Sequence, residues 1–226
     1  MAQPGGFTVW FTGMLGAGKT TLTDYLAARL RQVNRKVEVL DEDSMGEIFW
    51  PEAQDTKEDR KIIARRLANM ADLLSRNGVA TLVACTSPYK ASRDEARRLI
   101  DRFVEVYVDC PTEKLIQRDT TGKYKKALSG EIPNFIGITE PYEPPNSPEV
   151  TILSGEEGVE AGGLRVFQAL LDLSLMTTEE LKVITGTRMK VQKGGPKKTA
   201  GKGAPKSRPA IRMKPPTKSK SAKGKR

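Results

Sequence analysis

The stretch that most constrains this chain is FTVWFTGMLGAGKTT, residues 7–21. The apolar run at 7–11 reads as a buried strand, a glycine-rich turn follows, and a helix-competent segment begins near residue 19. Inside it stands Gly13-x4-Gly18-Lys19-Thr20, the phosphate-cradling P-loop pattern. Glycines let the backbone curl so that successive N–H groups point inward at phosphate oxygens. The following helix adds the partial positive charge of its N-terminus. Gly13, Met14, Leu15, Gly16, Ala17, Gly18, Lys19, Thr20 and Thr21 are therefore expected to hold a nucleotide triphosphate, ATP. Lys19 would reach the β- and γ-phosphates and the Thr20 hydroxyl would ligate Mg²⁺.

Strands and helices alternate along the rest of the chain. Residues 21–32 place Leu22, Tyr25, Leu26 and Leu30 on one helical face. Residues 36–41 (KVEVLD) form a second strand that ends in Asp41, Glu42 and Asp43. Ligands of open α/β sheets gather at the carboxyl ends of strands, so these acids are well placed for chemistry. Asp41 is expected near Mg²⁺, and Asp43 is expected to orient or deprotonate an acceptor hydroxyl. Residues 45–53 read as irregular and apolar. Thr56-x-x-Asp59 resembles a capping box opening a helix to about Arg76, with Ile63, Leu67, Met70 and Leu74 inward and Asn77-Gly78 as its stop. The continuous apolar run 79–86 fits a central parallel strand, and a helix over 91–101 follows it. Residues 103–109 (FVEVYVD) are the fourth strand, and Pro111 suits the first turn of a short helix. Residues 119–148 are rich in Gly, Pro, Lys and Glu and are too long for a plain connection, which predicts a water-excluding lid. A short strand at 150–153, a helix at 163–173 with Leu164, Phe167, Leu170 and Leu171 inward, and a last helix capped by Thr177-x-x-Glu180 complete the body. The expected fold class is α/β. It has three layers, a parallel five-stranded sheet with helices on both faces.

The formal net charge of +10 over 226 residues hides an asymmetry. Residues 186–226 hold 15 of the 38 Lys and Arg and none of the 28 acids, which leaves 23 basic against 28 acidic residues, a net of −5, in 1–185. A P-loop domain over 1–185, with its lid at about 119–148, and a disordered Lys-rich tail over 186–226 are expected. The tail suits nonspecific contact with a polyanion or nucleic acid through counterion release. Cys85 and Cys110 read as small buried residues rather than a disulfide framework. The chain has no histidine, which excludes His-based acid–base catalysis and metal ligation. No apolar run approaches the length of a membrane span, and a cytoplasmic protein is expected.

Several segments together resemble the adenylylsulfate kinase (APS kinase) family. They are FTGMLGAGKTTL at 11–22, LDED at 40–43, KEDRK at 57–61, TSPYKASRDEAR at 86–97, FVEVYVDCP at 103–111, YKKALSGEIPNFIGI at 124–138 and PYEPP at 141–145. The resemblance implies a P-loop nucleoside-kinase-like fold and transfer of the γ-phosphate of MgATP to the ribose 3′-hydroxyl of adenosine 5′-phosphosulfate. It further implies that Ser87 matches a serine described as a phosphoserine intermediate. Phe135 matches a lid residue that stacks on the acceptor adenine. Arg60 and Arg93 match arginines near the phosphosulfate, and Lys125 and Lys126 match a lysine pair of the lid. Family members commonly dimerise, so a homodimer is also implied. The pattern departs from the family on the acceptor side. Gly46 stands at the position of an anion-binding arginine, Trp50 and Ile63 at asparagines, Asp55 at a phenylalanine and Thr121 at a lysine, with Lys123 nearby. An Arg–anion contact contributes about 1.5–3 kcal/mol, so its loss touches the choice of acceptor. Two alternatives stay open beside the first reading: a P-loop kinase acting on another small-molecule hydroxyl, and a polyanion-binding protein with a degenerate kinase body.

Overall fold

The computed structural model describes residues 5–186, and the basic segment 187–226 lies outside the described residues, as does the expectation about its disorder. Five parallel strands, β1 (Phe7–Thr12), β2 (Val37–Asp41), β3 (Ala80–Ala84), β4 (Phe103–Asp109) and β5 (Val150–Leu153), lie in the order β2-β3-β1-β4-β5. The chain builds outward on one side of β1, returns to fill β3, then crosses to β4. β1 is thus the point where the winding reverses, and its carboxyl end is where an open sheet of this kind offers a crevice.

Alternation along β1 assigns the two faces. Phe7, Val9 and Phe11 join a core with Leu22, Leu26 and Leu30 of α1 (Lys19–Gln32) and Val166, Phe167 and Leu170 of α7 (Val159–Asp172). Trp10 points the other way, onto Ala64, Leu67, Ala68 and Ala71 of α3 (Lys57–Arg76) and Ala96 of α4 (Lys90–Leu99). Each fully buried Leu or Phe in these layers contributes about 1.5–3 kcal/mol relative to exposure. Both capping boxes form: Thr56 and Asp59 open α3, and Thr177 and Glu180 open α8 (Thr178–Thr185). Cys85 and Cys110 are buried free thiols. Among the described residues, no helix is long and apolar enough to cross a membrane.

Some boundaries differ from the sequence reading. Residues expected to be irregular form α2 (Glu42–Phe49), because the Asp41 carboxylate caps the Asp43 and Ser44 N–H groups and two acids occupy the first turn. Pro111 caps α5 (Thr112–Arg118) from outside rather than starting it. α7 begins at Val159, and its Leu164 is exposed, since the buried face runs through Gly162, Gly163, Val166, Phe167 and Leu170. The lid contains its own short helix, α6 (Lys123–Leu128).

Candidate active site

The glycine-rich loop leaves β1 where the sheet is most crowded. A side chain at Gly13 would collide with the Val108 carbonyl oxygen of β4, so the turn demands glycine there. Gly18, left-handed at φ 102°, then caps α1. Lys19 is buried, and its ammonium donates to the carbonyls of Gly13 (2.9 Å) and Met14 (3.1 Å), folded back over the loop. The Thr20 hydroxyl donates to Asp41 Oδ2 at 2.7 Å. The other oxygen of Asp41 accepts from the N–H groups of Asp43 (3.0 Å) and Ser44 (3.1 Å). Thr20 and Asp41, foreseen as metal ligands, therefore stand side by side, and Asp43 follows on the exposed first turn of α2. Thr21 is exposed. Hard oxygens from one hydroxyl and one carboxylate fit Mg²⁺, which is held mainly by water and substrate phosphates rather than by an all-protein cage. Among the described residues no group of three His, Cys, Asp or Glu could hold a metal.

Next to the loop opens a cavity of about 440 Å³. Leu15 of the loop, Asp43 and Glu47 from α2 and Trp50 just after it, Arg60 and Ile63 of α3, Ser87, and Lys123 and Phe135 of the lid all line it. Phe135 is 8% exposed and meets Tyr124 edge-on at 4.8 Å. The Tyr124 hydroxyl in turn donates to the Leu15 carbonyl at 2.7 Å, which ties the lid to the phosphate loop. Burial, reinforced by nearby Cys110 and Asp119, pushes the Tyr124 phenol well above its ordinary value, so it stays a donor. Arg60 keeps a long ion pair to Asp55 (3.7 Å), but its Nη1 is buried and has no hydrogen-bond partner among the described residues.

Four of the expected site residues are engaged elsewhere or stand outside the cavity in this structure. Arg93 is 2% exposed and faces away from the cavity; it is spent on Glu105 (2.9 Å), the Ser87 carbonyl (2.6 Å) and the Glu143 carbonyl (2.6 Å). The Ser87 hydroxyl is likewise turned inward, because the residue takes a strained φ of 35°. It accepts from the Trp10 indole N–H at 3.0 Å and donates toward Thr12 Oγ1 (3.0 Å) or the Cys85 carbonyl (3.2 Å). These partners occupy the hydroxyl, while the residue itself forms part of the cavity wall. Lys125 and Lys126 are exposed and outside the cavity wall, since Tyr124 and Ala127 form the inward face of α6; Lys123 lines the wall instead.

The contacts of other side chains around the site were not visible in the pattern. Glu42 crosses to the end of β3, where its carboxylate accepts from the Thr86 N–H (2.6 Å), the Thr86 hydroxyl and the Cys85 thiol (3.1 Å). Burial first, and Glu42 beside it, push the Cys85 thiol up, so it is no thiolate nucleophile. Thr12 donates to the Thr86 carbonyl (2.9 Å), so its oxygen must accept from Tyr142 (2.8 Å). Tyr142 stacks on Tyr107 at 5.9 Å, which pins the PYEPP strap across the ends of β1 and β4. The acid cluster was the only sequence signal for Glu42, and it could not say which acid turns toward which strand.

This arrangement has known relatives. A sequence model of the family described as adenylylsulphate kinase matches residues 5–153. An adenylyl-sulfate kinase of Myxococcus xanthus is 43% identical over 180 residues, 78% of this chain and 97% of that protein. A probable bifunctional SAT/APS kinase of Sorangium cellulosum is 46% identical over 74% of this chain, which spans only 29% of that longer protein. Among solved structures, the APS kinase of Mycobacterium tuberculosis in complex with AMPPNP and APS is 33% identical, with a TM-score of 0.70, over 74% of this chain and 98% of that one. The phosphate loop, the capped acid after β2 and the lid all lie within the matched region, and the chain belongs to the adenylylsulfate kinase family.

Proposed function

We propose that this chain transfers the γ-phosphate of ATP to the ribose 3′-hydroxyl of adenosine 5′-phosphosulfate. The observation that carries this reading is one cavity walled jointly by the phosphate loop (Leu15), the acid after β2 (Asp43) and the lid (Phe135, Lys123). A relative of the same fold binds AMPPNP and APS together. In the reaction a bond forms between the acceptor oxygen and the γ-phosphorus. The bond from that phosphorus to the β–γ bridging oxygen breaks, and ADP leaves with the electron pair. Asp43 orients the hydroxyl and receives its proton; a loose transition state asks little of the base. Lys19 leaves the Gly13 and Met14 carbonyls for the β- and γ-oxygens. Thr20 and Asp41 would hold Mg²⁺, which neutralises charge building on the phosphates. Phe135 closes over the acceptor ring, and Arg60 and Lys123 take its anionic end. We assign no covalent role to Ser87. The basic segment 187–226 is a polyanion-binding appendage in this reading, supported by its charge alone.

A coupled assay for ADP release tests the reading. ATP turnover should depend on added adenosine 5′-phosphosulfate, and Lys19→Ala should lower kcat about 100-fold or more, as loss of one transition-state donor does. Turnover stimulated only by a different alcohol would replace the acceptor. No turnover with any alcohol, and Lys19→Ala indistinguishable from the parent in ATP binding, would remove the kinase.

A further inference from the structure

Gly46 sits inside α2, where glycine is a poor choice: no side chain packs, and alanine holds a helix better. Its backbone does not take the left-handed conformation that would call for glycine. What lies over it is Trp50. The Trp50 N–H closes the last turn of α2 onto the Gly46 carbonyl at 3.1 Å, and this brings the indole back along the helix toward residue 46. A Cβ at residue 46 would stand 3.3 Å from the indole Nε1, tighter than an ordinary contact. The two residues therefore share one space, and the indole fills it.

The ring body is anchored among Leu40, Ala64 and Leu67, and the residue is 6% exposed. Its Nε1–H has no hydrogen-bond partner among the described residues, although Trp50 lines the cavity together with Gly46, Arg60 and Ile63. Unlike the Trp10 indole, which donates to Ser87, this N–H is not among the fully buried polar atoms left without a partner, so it keeps an opening to the cavity that Trp50 lines. The acids Glu42, Asp43, Glu47 and Asp55 outnumber Arg60 and Lys123 on the cavity wall, so an anion is welcome only beside those two cations. A neutral N–H on the same cavity wall adds a directed hydrogen bond without bringing in a further cation.

We propose that the Trp50 indole N–H is a specificity-determining donor to the anionic end of the acceptor, and that the bare Cα of Gly46 is what lets it reach the cavity. This rests on the phosphosulfate reading of the acceptor. The test is calorimetric titration of the full chain, parent and two variants, with ATP and separately with adenosine 5′-phosphosulfate. Trp50→Phe keeps the ring and removes the donor; acceptor affinity should fall about tenfold, the size of one hydrogen bond to a charged group, with ATP affinity unchanged. Gly46→Ala should push the indole aside and weaken the acceptor in the same direction, again sparing ATP. Equal acceptor affinity in the parent and Trp50→Phe would overturn the inference and leave the proposed function standing. Loss of both affinities in Trp50→Phe would make the indole a packing group and also overturn it. A parent chain that binds ATP but no adenosine 5′-phosphosulfate would remove the functional reading and this inference together.

Discussion

Arg93 and Arg60 look alike as residues: both are arginines near the start of a helix that faces the site. Their partners separate them. Arg60 keeps a buried nitrogen without a partner beside the cavity, whereas Arg93 is saturated by Glu105, twelve residues on, and by carbonyls of Ser87 and Glu143. Arg93 is a positioning residue that holds the turn after β3 against the PYEPP strap. Removing it leaves Glu105 buried with only Arg97 for company. Arg93→Ala should therefore destabilise the fold by about 3 kcal/mol, the lower end for breaking a buried ion pair, measured by urea unfolding. Arg93→Lys should recover little of it, because one ammonium cannot replace a planar fork with three acceptors. A change within 0.5 kcal/mol would show that the network is idle. Residue type and spacing made the placement of Lys19 against its loop and of Thr20 beside Asp41 legible, because these residues lie within one turn and one strand end. The fates of Ser87 and Arg93 depend on carbonyls and rings that lie far away in the chain, and no local pattern carries those.

At the scale of elements, β4 and β5 were readable to the residue, since a run of β-branched and aromatic residues bounded by Pro or Asp leaves few other choices. α2 was not readable, because its formation hangs on the orientation of one carboxylate at its N-terminus. The edge between β4, β5 and α4 carries an ion network that titrates. Burial alone would raise the Glu149 carboxyl. The Arg97 guanidinium, bonded through two nitrogens at 2.6 and 2.8 Å, and the Glu105 N–H at 2.6 Å outweigh it and hold the group below the ordinary 4.5. A depressed folded value means that the stabilisation is complete above pH 4.5 and is lost as pH falls through the lower folded value. Thermal melts from pH 7 to pH 3 should show the parent losing stability more steeply below 4.5 than Glu149→Gln, while the variant melts lower at neutral pH. Parallel curves would mean that the carboxylate is not the titrating clamp.

On the scale of the whole molecule, charge divides the chain: a net of −5 over residues 1–185 against fifteen cations and no acid beyond them. The full chain should retard duplex DNA at low salt and release it as salt rises toward physiological levels, whereas a version ending at Thr185 should run free. Equal mobility of the two would dismiss the appendage as a polyanion binder. The sheet order has a consequence for how the protein comes into being. β1 is translated first yet sits in the middle, pairing with Ala80 to Ala84 on one side and with Phe103 to Tyr107 on the other. The phosphate loop at its end is thus unsupported until more than a hundred residues have left the ribosome, and such long-range pairing is slow to form. Nucleotide capture is consequently a late event in biogenesis, and a nascent chain cut short before β4 should have no grip on ATP.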